Sequence, residues 1–198
     1  LPTSLVFGIA KELFGLEKNE EAGIENRPPL PLVKDVEDSI NIIPGNHNKD
    51  LDISLLPESL KNAIKYFILV CSARRIRSSG VEHNSMLIHV TRFNNVQSKL
   101  NELLITELRS LAGRINNSND PLEDFKKIWM EDFSETSKKM KKLGYHDSQV
   151  HEWKDIIKEI RIAIDLIKIK VINGKAKDLL DYKEAEQAAE KRLKNTEK

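Results

Sequence analysis

Cysteine is nearly absent: among 198 residues only Cys71 is present, so no intrachain disulfide framework can form. Its apolar helical surroundings fit a reduced, cytoplasmic setting. Long hydrophobic runs are missing too. No stretch approaches the ~20 consecutive apolar residues of a membrane-spanning helix, and 32% of the chain is charged against 39% hydrophobic, which predicts a soluble protein with no membrane partner. Nor does one sign of charge dominate, since 32 Lys and Arg face 31 Asp and Glu for a net of +1. Affinity for a polyanion must therefore come from local clusters of cations. The chain opens at Leu1 with no basic-then-apolar leader and no lipidation motif, which predicts a piece of a longer protein.

Motifs that carry chemistry are equally sparse. GxxxxGK[ST], GxGxxG and GxSxG do not occur, leaving phosphate-loop, dinucleotide and nucleophile-elbow chemistries without support. The five histidines, His47, His83, His89, His146 and His151, contain no i, i+4 pair, and Cys71 has no cysteine partner, so no common zinc spacing exists. A Mg²⁺ nuclease gathers several carboxylates around its metal. Asp165 with Lys168 and Lys170 lacks a second carboxylate and reads as an edge-strand charge pattern. No catalytic set and no cofactor are expected in this fragment.

What is present is mostly helical periodicity. Leu5, Ile9, Leu13 and Phe14 predict a short helix over 1–16, and the prolines and polar residues of 17–54 predict a loop or strap. Pro57 at a first helical position, followed by Leu60, Ile64, Phe67, Ile68 and Cys71, predicts a helix to Ile76, closed by Gly80. The apolar run Ser85–Val90 predicts a buried strand, with His89 a core histidine within it. Asn94, with Gln97 reaching back, predicts the cap of a helix whose one apolar stripe is Val96, Leu100, Leu103, Leu104, Leu108 and Leu111 and which stops at Gly113. Asp120-Pro121 starts a helix that buries Phe125, Ile128, Trp129 and Phe133 and ends near Gly144, with Lys138, Lys139, Lys141 and Lys142 at its negative pole. Asp147 or Ser148 caps a last helix running to Asp165. The alternation of Ile167, Ile169 and Val171 with lysines then predicts a second strand over 166–172, a turn at Asn173-Gly174 and a solvated helix or frayed tail over 175–198.

Two groups of residues could contact phosphates. Arg74, Arg75 and Arg77 end one helix, where they could clamp phosphates or simply stabilise the helix's negative end and pair with carboxylates. His83 and Asn84 precede the first expected strand, and Thr91, Arg92 and Asn94 follow it at a helix N-terminus. That is where open α/β sheets bind ligands, although Thr91 and Asn94 could equally be caps. Folding could bring both groups to one edge of the sheet.

The stretch Leu56-Pro57-Glu58-Ser59-Leu60, then Ser72-Ala73-Arg74-Arg75-Ile76-Arg77, then His83-Asn84-Ser85-Met86-Leu87-Ile88-His89-Val90-Thr91-Arg92-Phe93 resembles the bacterial Z-one domain. The later Val171-Ile172-Asn173-Gly174 with Leu180-Asp181-Tyr182 is similar to a second segment of that family. The resemblance implies an endonuclease-type domain of large proteins built on a superfamily II helicase engine and associated with restriction and phage defence. A strand leading through Thr91-Arg92 into a helix is similar to the opening of the second RecA-like helicase lobe. The expectation is thus a mostly α-helical α/β fold with two short strands. Residues 1–54 are expected to form a helix and Pro-rich strap, 55–174 a core with a helical insertion over 114–165, and 175–198 a charged tail or frayed helix. The expected role is non-catalytic contact with the DNA backbone beside helicase lobes of the same full-length chain, with ATP and Mg²⁺ implied only for that longer protein. A helical protein-interaction module and an autonomous Mg²⁺ nuclease are the alternatives.

Overall fold

The computed structural model describes residues 32–34, 36–78, 83–118, 120–145 and 151–172. Helix α1 spans Glu58–Ser78, α2 Asn94–Asn117, α3 Asp120–Ile128, α4 Ser134–Lys142 and α5 Trp153–Leu166. A 3-10 turn, Asp38–Asn41, precedes α1, and a π turn, Trp129–Phe133, lies between α3 and α4. The expected helix over 1–16, the stop at Gly80, the cap at Asp147 or Ser148, the turn at Asn173-Gly174 and the tail lie outside the described residues.

The chain divides into two compact units, Glu37–Trp129 with His151–Lys198 and Leu1–Val36 with Met130–Val150. In the larger unit α1 packs chiefly against α5, while α2 packs against α3 and α5. The last turn of α1 meets the residue ahead of α5, so the two helices run in opposite directions. Pro57 precedes α1 and its carbonyl accepts the N–H groups of Leu60 and Lys61, at 3.1 Å each. A side chain distant in sequence completes the cap: Asp38 Oδ2 accepts the Ser59 N–H at 2.9 Å, which satisfies one of the donors every helix start leaves open. Ile68 and Leu69 of α1, Val96 and Ile115 of α2, Phe125 of α3 and Ile156 and Ile160 of α5 are fully buried. In the smaller unit Lys34 pairs with Asp132. There α4 ends as its sequence dictates, with Gly144 at φ +94° and the Tyr145 N–H closing back on Met140 O at 3.1 Å.

The structure corrects the fold class. Among the described residues there is no strand: 85–90 is irregular, and so are residues 167–172 after the end of α5. Period-two alternation does survive over 167–172, where Ile167, Ile169 and Val171 are half-buried and Lys168 and Lys170 exposed. Alternation reports only which way side chains point, whereas a strand also needs a neighbouring ladder of backbone hydrogen bonds. Without a sheet the fold is helical, and the opening of a RecA-like lobe is not what these residues build. His89 is correspondingly exposed rather than a core histidine.

Two helix ends also differ from expectation. Gly113 does not stop α2, which continues to Asn117 and buries Ile115; the gain from burying a large apolar group exceeds glycine's helix cost of about 1 kcal/mol. The single helix expected from Asp120 to Gly144 is interrupted by the π turn. Its extra residue shifts the phase, so Ser134 is buried and Phe133 only half-buried.

Replacing Ile68 or Ile160 by Ala should cost about 3 kcal/mol, since each is fully buried and leaves a cavity. Urea unfolding measures this, and a loss below about 1 kcal/mol would contradict the packing described. Hydrogen bonds from Ser59 hold the Asp38 carboxyl below its ordinary value. A depressed folded-state pKa adds stability that is fully present above the unfolded carboxylate value, near pH ~4, and is lost below it as pH falls through the folded value. Asp38→Asn should flatten that acid limb of the urea midpoint while leaving the behaviour between pH 6 and 8 little changed.

Candidate nucleic-acid interface

The end of α1 is where the helix leaves the core. Cys71, Ser72 and Ala73 are buried, and Ser72 Oγ satisfies itself by donating to Ile68 O at 2.8 Å. Arg74 and Arg77, which follow, are exposed, and Arg75 is half-buried. Arg75 Nε donates to Glu159 Oε2 of α5 at 2.7 Å, with both side chains under a quarter exposed. This is an ion pair of the α1–α5 packing, and the structural alternative weighed for the arginine group holds at that position.

Arg77 Nε donates to His151 Nε2 at 3.1 Å. A guanidinium is always protonated, so Nε2 must be the unprotonated nitrogen of a neutral ring carrying its proton on Nδ1. Burial, and then the Arg77 charge, push the His151 pKa below its ordinary value. The His151 carbonyl accepts the indole N–H of Trp129 at 3.3 Å, which fixes this residue just ahead of α5. The first turn of α5 has no side-chain cap, and a helix N-terminus carries a partial positive charge.

A second assembly sits at the start of α2. His47 Nδ1 donates to Pro44 O at 2.7 Å and Nε2 meets Thr91 Oγ1 at 2.7 Å. With the proton on Nδ1, the Thr91 hydroxyl is the donor to Nε2. The same hydroxyl accepts the Phe93 N–H at 3.1 Å, and Gln97 Nε2 donates to the Thr91 carbonyl at 2.8 Å. Gln97 does reach back, as its spacing suggests, but to Thr91 and not to Asn94. Asn94 is the first helical residue, and Phe93 occupies the cap position without a side-chain hydrogen bond. Thr91 is buried and its hydroxyl is engaged inside the turn, so it organises the helix start and does not face a phosphate. Arg92 is exposed, with its guanidinium 5.0 Å from the centre of the Phe93 ring, which meets His47 edge to face at 5.3 Å.

His83 is exposed and Asn84 half-buried in the irregular segment ahead of α2. Among the described residues the sheet edge expected to unite the two groups of site residues does not form; Arg75 is tied to Glu159 of α5 and Arg77 to His151 ahead of it, while Thr91 and Phe93 meet His47. Sequence reasoning missed His47, Glu159 and the part His151 plays. Their partners lie 44, 84 and 74 positions away, and no local period reports such a separation. Cys71 is chemically quiet, because burial pushes its thiol up to about 11.

The family model of the Z1 domain matches residues 59–193, more than half of the chain. This chain belongs to the Z1 domain family. The match bears out the resemblance to the Z-one domain; no curated protein and no solved structure matches. The matched part of this Z1 domain contains Arg74, Arg75, Arg77, Arg92 and His151, while His47 and Asp38, which buttress it, precede the matched residues.

Because Arg75 is tied to Glu159, Arg75→Ala should lower stability by about 1 kcal/mol and Tm by about 3 °C. Arg74→Ala should change Tm by less than about 1 °C, its side chain being exposed. Differential scanning calorimetry of the two variants separates the roles, and equal shifts would refute the assignment.

Proposed function

We propose that this Z1 domain is a non-catalytic module that contacts the DNA backbone within a larger, cytoplasmic, ATP-dependent DNA-processing or restriction-like enzyme. The observation that carries the reading is the end of α1, where Arg74 and Arg77 are exposed and Arg77 meets His151 just ahead of the first turn of α5, which has no side-chain cap. Guanidinium groups and helix N–H donors are the two usual partners of phosphate oxygens, and they read the backbone without reading sequence. Arg92 at the start of α2 supplies a further exposed cation. With a net charge of only +1 there is little long-range attraction, so the affinity belongs in the non-specific range of ~10⁻⁴–10⁻⁶ M.

ATP and Mg²⁺ belong, in this reading, to helicase lobes elsewhere in the full-length chain. The residues present do not fit either group. The sequence has no phosphate loop, and among the described residues no group of three His, Cys, Asp or Glu is placed to hold a metal ion. No step of the proposed role passes through them, and the reading of an autonomous Mg²⁺ nuclease draws no support from the side chains described. Among the described residues, no helix is long and apolar enough to cross a membrane. One observation favours the rival protein-interaction reading: Leu87 is 89% exposed, between exposed Met86 and exposed His89 in the irregular segment ahead of α2.

Fluorescence anisotropy of a labelled 20-base-pair duplex tests the choice. The wild-type chain should bind with a steep salt dependence. Arg74→Ala with Arg92→Ala should weaken binding about tenfold at low salt and reduce the salt slope by about 2, at ~0.9 per phosphate contact. Wild-type affinity in the double variant would transfer the proposal to the protein-interaction reading.

A further inference from the structure

The hydrogen bond between Arg77 and His151 has a direction that chemistry fixes. Arg77 has only donors to offer, so the bond exists while His151 Nε2 keeps its lone pair, and a proton there would set two cations face to face at the 3.1 Å separation observed. The charged groups that act on the ring are Arg77 from α1 and Asp155 from α5, the first opposing and the second favouring protonation. From the π turn the neutral Trp129 indole contributes a hydrogen bond to the His151 carbonyl and no charge. Asp155 in turn accepts from Lys158 at 3.1 Å, so the balance at the ring tips toward the neutral form.

A phosphodiester arriving at this end of the helix pair changes that balance. Its oxygens compete for the Arg77 guanidinium, and its charge favours a cation beside it. We propose that DNA-backbone binding at the end of α1 is proton-linked through His151: the phosphate draws Arg77 off the ring, and Nε2 takes one proton from solvent. The imidazolium so formed becomes a donor to the same phosphate. No bond other than N–H forms and no group is transferred. The inference rests on the backbone-contact reading for its ligand, and on the Arg77–His151 geometry for its proton. It makes His151 a positioning residue for Arg77 in the free protein and a direct contact in the bound one.

Phosphodiesters do not titrate between pH 5.5 and 7.5, so linkage in that window reports the protein. The dissociation constant of the 20-base-pair duplex is measured at both pH values and constant ionic strength, for wild type and for His151→Gln, whose amide oxygen can accept Arg77 without titrating. Dextran sulfate, a polyanion that also does not titrate there, serves as a second probe. The tightening on acidification should be about fivefold greater in wild type than in the variant. Calorimetry in two buffers of different ionisation enthalpy should show proton uptake by wild type only. Equal pH slopes for the two proteins would overturn the linkage and leave backbone contact standing. Binding of dextran sulfate with His151-dependent proton uptake, and no binding of the duplex, would overturn the DNA reading and keep the linkage for another polyanion. Failure of both probes would remove both. Should His151→Gln not fold, the ring resonances of His151 in the wild-type protein decide: their titration must move to higher pH when either polyanion is added, and an unmoved titration refutes the proposal.

Discussion

The packing of α1 on α5 is the constraint from which the rest follows. Ile64, Ile68, Leu69, Cys71, Ser72 and Ala73 of α1 are all buried, and so are Ile156, Ile160, Ala163 and Ile164 of α5. The last three buried residues of α1 are small, and the one hydroxyl among them turns inward to its own helix, so the pair can remain packed until the sequence becomes arginine. Long cations resist burial unless paired, and they therefore collect where the packing ends. One of them is absorbed by Glu159 and the others stay at the rim. The position of the candidate interface is thus a by-product of where the core runs out.

The start of α2 is held differently. No side chain caps it directly; its entry is fixed by Thr91, whose hydroxyl and carbonyl together engage His47, Phe93 and Gln97. A loop of low local regularity becomes well defined through one histidine with a polar partner at each ring nitrogen. The arrangement is costly to disturb, since removing either partner leaves a partly buried polar atom without its hydrogen bond.

Helix starts with local chemistry were legible in the sequence. Pro57 and Asp120-Pro121 stand where α1 and α3 begin, and Gly144 adopts the positive φ that a helix stop favours. Four of the six expected stripe residues of α2, Val96, Leu100, Leu104 and Leu111, are buried, while Leu103 and Leu108 at its margin are half-buried. The illegible features are those set by distant partners. Residues 85–90 and 166–172 have strand composition, but composition cannot supply a neighbour to pair with. Gly113 looks like a stop until Ile115 is seen to be buried beyond it. At the candidate site the exposed arginines were visible as a run, whereas the division of labour between Arg75, tied to Glu159, and Arg77, resting on His151, depends on a helix that begins some 75 residues later.

The lone thiol lies in the most heavily packed half of α1, with its pKa pushed up to about 11. The folded protein therefore offers alkylating reagents almost no thiolate, and Cys71 reacts when α1 opens. A cysteine placed by mutagenesis on the exposed rim could be labelled against that silent background. Left to itself, the slow alkylation of Cys71 is a clock for the opening of the α1–α5 pair, readable by mass on the unmodified sequence.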